Sequence, residues 1–161
     1  MTGTGAWQAE VKAPGARVAI VASSWHSTVM GGLIAGALRA CEEAGATSQL
    51  FTVPGSFELP IVAQACAESG EFDVVAALGV VIQGETPHFD YVCDAATAGL
   101  TRVVLDARVP VGFGLLTVDN EQQALDRAGL PGSKEDKGKE AVDAALSTWL
   151  TLQSIAGLGR Q

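Results

Sequence analysis

The chain has 161 residues and a mass of 16.5 kDa, which fits a single domain spanning 1–161 with a substantial core. Hydrophobic residues make up 48% and charged residues 17%, a balance that excludes a disordered chain except at its ends. A net charge of -8 and a pI near 4.6 speak against nucleic acid or an anionic membrane surface as partner, since both are held by clustered cations.

Met1 to Gly15 lacks the charged-then-apolar pattern of a secretion signal and reads as a flexible N-terminal segment. Arg17-VAIVASS then reads as a short buried strand. Val29 to Ala44 carries Leu33, Ile34, Ala37, Leu38 and Cys41 at helical spacing, closed by Gly45. The strand-then-helix unit recurs as Ser48-QLFTV with Glu58 to Ser69, Val74 to Ile82 with Phe89 to Asp106, and Val109 to Leu116 with Asn120 to Ala128. A last helix is expected over about Lys137 to Leu158.

Strands that are apolar throughout are covered by helices on both faces, so the alternation predicts a parallel sheet of four or more strands inside a three-layer α/β/α sandwich. The longest apolar run, Val74 to Ile82, is far too short to span a bilayer. Cys41, Cys66 and Cys93 lie far apart among apolar residues without CxxC spacing, which suits reduced thiols and a cytoplasmic protein.

Ligands of such sheets bind beyond the carboxyl ends of the strands. Here those loops are Ser23-SWHS, Pro54-GSFE, Gln83 to His88, and Thr117-VDN. They hold both histidines, together with Trp25 and Phe57, where turn chemistry alone would place Gly, Asn and Asp. A flat, partly aromatic ligand is one reason for that choice.

Gly84-Glu85-Thr86 precedes a helix, an arrangement in which backbone N–H groups, a hydroxyl and the helix dipole can hold phosphate. On local pattern alone, Thr86 as a helix N-cap with Pro87 at the first helical position is the simpler reading. His88 follows at once and can exchange protons near neutral pH, with His26 as its rival. Glu58 opens a helix, where its carboxylate can accept hydrogen bonds from a polyol or amine, though taken singly capping is the simpler explanation. Four of the ten Lys and Arg residues, Arg127, Lys134, Lys137 and Lys139, fall in one stretch, the best source of cations for an anionic ligand. There is no GxGxxG after the first strand, no P-loop spacing, no GxSxG, no HExxH and no spaced Cys/His set for a metal.

Taken in order, VPGSFELPIVAQ, ALGVVIQGETPHFDYVCDAATAGL, VGFGLLTVDNEQQALDRAG and EDKGKEA resemble the lumazine synthase family, and SSWH resembles its actinobacterial branch. The resemblance runs from about Arg17 to Leu152. It implies a flavodoxin-like fold with a four-stranded sheet. It also implies the condensation of 5-amino-6-(D-ribitylamino)uracil with 3,4-dihydroxy-2-butanone 4-phosphate to 6,7-dimethyl-8-ribityllumazine, phosphate and water, in riboflavin biosynthesis. No cofactor or metal is implied.

By that resemblance Trp25 stacks on the pyrimidine; Ser56, Phe57 and Glu58 meet the ribityl chain; and Val80, Val81 and Ile82 line the ring pocket. Gly84, Glu85 and Thr86 hold the butanone phosphate with Arg127, Lys137 lies near it, and His88 carries protons. Phe113 covers the ring from a neighbouring subunit, because family sites lie between subunits of a pentamer. Gln83 departs from the arginine that the family often carries there, and removes a charge near the phosphate turn. The connector Leu130-PGSKEDKG is longer than in shell-forming relatives, which favours a pentamer over an icosahedral 60-mer. A non-catalytic flavin or lumazine binder is the rival reading, opposed by His88, Arg127 and Lys137 together.

Overall fold

The computed structural model describes residue 7 and residues 10–160. The elements are β1 (Arg17–Ser23), α1 (Ser27–Ala44), β2 (Thr47–Val53), a 3₁₀ turn (Ser56–Glu58), α2 (Leu59–Glu68), β3 (Val74–Ile82), α3 (His88–Ala107), β4 (Val111–Val118), α4 (Glu121–Leu125) and α5 (Lys137–Leu158). All strand pairs are parallel, in the order β2-β1-β3-β4.

Alternation along the strands builds the three layers. Val18, Ile20 and Ala22 of β1 join Val74, Ala76 and Leu78 of β3 in a core with α1 and α5. Ala19, Val21, Val75 and Ala77 turn the other way, onto α2 and α3. Because the two central strands are covered on both faces, their cores are apolar at every position, as the sequence pattern required. β2 departs from that expectation: most of its residues are exposed, since it is an edge strand with little covering it.

Boundaries moved where backbone chemistry intervened. β4 starts at Val111 rather than Val109 and runs to Val118, so Thr117 and Val118 belong to the strand and not to the loop after it. Pro110 has no N–H to donate, and only its carbonyl engages β3, accepting from the Val75 N–H at 3.0 Å. The second helix opens with the 3₁₀ turn over Ser56–Glu58, because the Glu58 carboxylate accepts the Gly55 N–H at 3.1 Å and closes that turn before α2 begins. β3 and α5 keep the bounds expected from sequence.

Of the segment taken as a flexible N-terminus, residues 1–6, 8 and 9 lie outside the described residues. Val11 and Ala13 are buried, and the Ala13 N–H donates to the Ala44 carbonyl at the end of α1 at 2.9 Å. Cys41 and Cys66 are buried free thiols, while Cys93 is only half-buried. Burial pushes the Cys41 thiol up to about 11. Among the described residues no helix is long and apolar enough to cross a membrane.

α1 and α5 pack side by side, and Gly138 lets them approach: a Cβ added there would run into the backbone carbonyl of Leu33. Gly138→Ala is therefore expected to destabilise the protein by at least the ~1–3 kcal/mol typical of overpacking, measured by denaturant unfolding. A side chain could yield; this backbone can yield only by shifting the α5 N-terminus.

Candidate active site

In a sheet of order β2-β1-β3-β4 the chain reverses its direction of growth between β1 and β3, and the carboxyl ends of those two strands leave a crevice. An open cleft of about 660 Å³ lies there. Its walls are Trp25 and His26 after β1, Gly55 to Glu58 from the 3₁₀ turn, Val80 to Ile82 at the end of β3, and His88, Tyr91 and Val92 on the first turns of α3.

The residues singled out from sequence thus meet in one place: Trp25, Ser56, Phe57 and Glu58 on one side, and Val80, Val81, Ile82 and His88 on the other. Trp25 is 66% exposed and Phe57 65%, so two large rings at the mouth face water in the isolated chain. Val80 is almost wholly core at 4%, and Val81 and Ile82 present more surface.

Ser56 is 7% exposed, and its hydroxyl oxygen is buried without a hydrogen-bond partner. Gly79 on β3 makes room for it, since a Cβ there would stand 2.8 Å from the Ser56 Oγ, 3.0 Å from Leu115 and 3.1 Å from Leu59. A buried hydroxyl left unpaired at a cleft wall is a group that a ligand can satisfy.

Between Ile82 and His88 the segment Gly84-Glu85-Thr86 is exposed. Its local reading is corrected in detail: Pro87, not Thr86, takes the N-cap place and His88 is the first helical residue. Thr86 still serves the turn, its Oγ1 accepting the His88 N–H at 3.4 Å. A Cβ at Gly84 would meet nothing, and its φ lies outside the left-handed region, so neither packing nor backbone strain within the chain asks for glycine. Gln83 is exposed just after β3 and its N–H donates to the Val118 carbonyl at 2.9 Å; nothing in the structure explains its side chain.

Gly84, Glu85 and Thr86 line neither this cleft nor the next cavity, and three further predicted residues lie elsewhere. Phe113, Arg127 and Lys137 line a second cavity of about 690 Å³ beside the outer strand β4 and the start of α5, with Trp7, Glu140 and Ala141. The two cavities share no lining residue. Phe113 is 49% exposed on its edge strand.

The four clustered cations behave differently from one another. Lys134 pairs with Asp126 at 3.6 Å, Lys137 with Glu140 at 3.0 Å and Glu135 at 3.2 Å, and Lys139 with Asp143 at 2.9 Å and Glu43 at 3.0 Å. Of these four, Arg127 alone has no carboxylate partner among the described residues; its NH1 donates to the Gln123 carbonyl at 2.8 Å. Neither Asp119 nor Asp126, the acidic residues near it in sequence, forms an ion pair with it; Asp126 pairs with Lys134 instead. At Lys137 burial pulls the ammonium pKa down, but the bonds to Glu140 and Glu135 outweigh it and leave the group raised.

Sequence reasoning missed Tyr91 and Val92 on the cleft and Glu135 and Glu140 around Lys137. Tyr91 stands three residues after His88, one helical turn on, and that spacing was a usable signal. His26 lines the same cleft in a left-handed backbone (φ 60), an uncommon conformation for a residue with a side chain.

A family described as 6,7-dimethyl-8-ribityllumazine synthase matches residues 15–153. Proteins of that name from three actinobacteria are similar to most or nearly all of the chain. That from Kineococcus radiotolerans is 58% identical over 159 residues, 98% of each chain. That from Paenarthrobacter aurescens is 63% identical over 141 residues, 87% of this chain and 86% of the relative. That from Streptomyces avermitilis is 56% identical over 158 residues, 97% and 98%. With a cleft at the β1/β3 crevice, the fold that carries it and this similarity in agreement, the chain belongs to the 6,7-dimethyl-8-ribityllumazine synthase family.

Proposed function

We propose that the chain condenses 5-amino-6-(D-ribitylamino)uracil with 3,4-dihydroxy-2-butanone 4-phosphate at a site completed by two copies of itself. Family membership makes it a transferase of riboflavin biosynthesis that works as a homo-oligomer. The observation that carries the shared site is the separation of its parts: one cavity holds Trp25, Phe57 and His88, the other holds Phe113 and Arg127.

Two different faces can meet head to tail, and contacts of that kind form rings when the rotation between copies closes. A ring of five is the assembly proposed, with the β4 edge of one copy set against the cleft of the next. The exposed rings of Trp25, Phe57 and Phe113 are then covered by substrate and neighbour.

Within the site, Trp25 stacks on the pyrimidine, Phe57 and Glu58 meet the ribityl chain beside the unpaired Ser56 hydroxyl, and Val81 and Ile82 form the ring wall. Gly84, Glu85 and Thr86 seat the phosphate, with Arg127 of the adjoining copy supplying charge and Lys137 nearby. The uracil amine attacks the ketone and water leaves to give an imine; phosphate is then eliminated, leaving a carbonyl at the neighbouring carbon, and the ribitylamine nitrogen closes the second ring onto that carbonyl with loss of a second water. His88 carries protons for these steps. Most of the rate comes from holding two reactants together.

The purified protein given both substrates is expected to form the green-fluorescent lumazine and release phosphate. A protein that binds the lumazine but makes none from the two substrates would be the non-catalytic relative instead.

A further inference from the structure

The connector between α4 and α5 looks loop-like in sequence, yet its backbone is closely tied. The Lys137 N–H donates to the Arg127 carbonyl at 3.0 Å and the Gly129 N–H to the Glu135 carbonyl at 3.0 Å. The Lys134 and Glu135 N–H groups both reach the Asp126 carbonyl, at 2.8 and 2.9 Å. Residues 126–137 thus form one unit that sets Arg127 across from Lys137, on the same cavity wall.

One carboxylate anchors that unit. Asp136 Oδ1 accepts the Lys139 N–H at 3.1 Å and caps α5, while Oδ2 accepts from Arg39 on α1 at 2.7 Å. Two glycines open the space it occupies. At Gly36 on α1 an added Cβ would strike Asp136 Oδ1, and at Gly129 (φ 67) it would lie 2.5 to 2.8 Å from the carboxylate atoms. Backbone from three segments therefore closes on a single side chain that lines neither cavity. A cap alone would need no such enclosure, because one side-chain oxygen on the first-turn N–H groups is enough for capping.

We infer that Asp136 is a positioning residue for the anion-binding side of the site: by tying α5 to α1 and closing the 126–137 unit, it sets where Arg127 and Lys137 stand. Its carboxylate lies at the α5 N-terminus, where negative charge is also favoured by the helix dipole. This role rests on the phosphate assignment of Arg127 made above.

The test separates positioning from mere stability by following each substrate. Asp136→Ala is expected to raise the KM for the butanone phosphate roughly tenfold, within the ~10²-fold that a 1 Å misplacement costs, and to leave the KM for the ribitylaminouracil unchanged. Asp136→Asn keeps an acceptor for the Lys139 N–H and should recover most of that loss. Arg39→Gln, which spares the cap, should raise the same constant by a smaller factor, and it stands in if Asp136→Ala does not assemble. Unchanged constants in both variants, or both KM values and kcat moving in parallel, would overturn the positioning role. Arg127→Lys is measured beside them: if it raises the KM for the butanone phosphate while the Asp136 and Arg39 variants do not, only the positioning role falls. If Arg127→Lys also leaves that constant unchanged, the phosphate assignment falls with it.

Discussion

Replacing His88 by alanine is expected to slow turnover by up to the ~10²–10⁴-fold typical of general acid–base groups, without abolishing it. His88 opens α3 and lines the cleft, placed there by the turn in which its N–H meets Thr86. Activity should survive because bringing the two reactants together supplies much of the acceleration, and that depends on the walls of the cleft more than on one proton carrier. His26 is the natural control, since it lines the same cleft from the other side of the sheet crevice. Steady-state rates decide between them: a full loss in His26→Ala with an unchanged kcat in His88→Ala would reverse the assignment.

Arg127→Ala is expected to lower kcat/KM by about 10²–10³-fold, because it removes charge-assisted bonds to phosphate worth roughly 1.5–3 kcal/mol each. Arg127→Lys should recover only part of this, since an ammonium cannot make the two parallel bonds of a guanidinium. The stronger consequence concerns assembly. Trp25→Ala and Arg127→Ala damage opposite halves of the site, and each alone should be nearly inactive. Co-expressed in equal amounts, they should regain activity, because random mixing in a head-to-tail ring gives about a quarter of the sites two intact halves. No recovery in verified mixed oligomers would mean that both halves come from one copy.

The fold was largely legible in the residues. Val18 to Ala22 and Val74 to Leu78 are apolar at every position because both faces of β1 and β3 are covered, and a short run of residues is enough to show that pattern. β2 and β4 were harder. As edge strands they carry mixed residues, and the extent of β4 follows from its register with β3, which runs on to the pair Ile82↔Val118 and which no local window contains.

The cleft residues were readable for a related reason. In a parallel sheet every strand ends at the same edge, so the loops after β1, β2 and β3 converge whatever their sequence separation, and unusual side chains there stand out. Glu58 shows the limit of that reading. Its carboxylate closes a turn on Gly55, a role that capping logic anticipated, and it lines the cleft as well.

By itself the sequence determined the layered α/β architecture, the strand ends where chemistry would gather, and the motifs that place the chain in its family, because periodicity and turn chemistry are local. Only the tertiary structure decided that Phe113, Arg127 and Lys137 lie apart from the cleft, that Arg127 has no carboxylate partner among the described residues while the neighbouring lysines are paired, and that Asp136 anchors the unit carrying them. Those outcomes depend on which helix meets which sheet edge, and on contacts between segments far apart in the chain, as with Arg39 and Asp136 at a separation of 97.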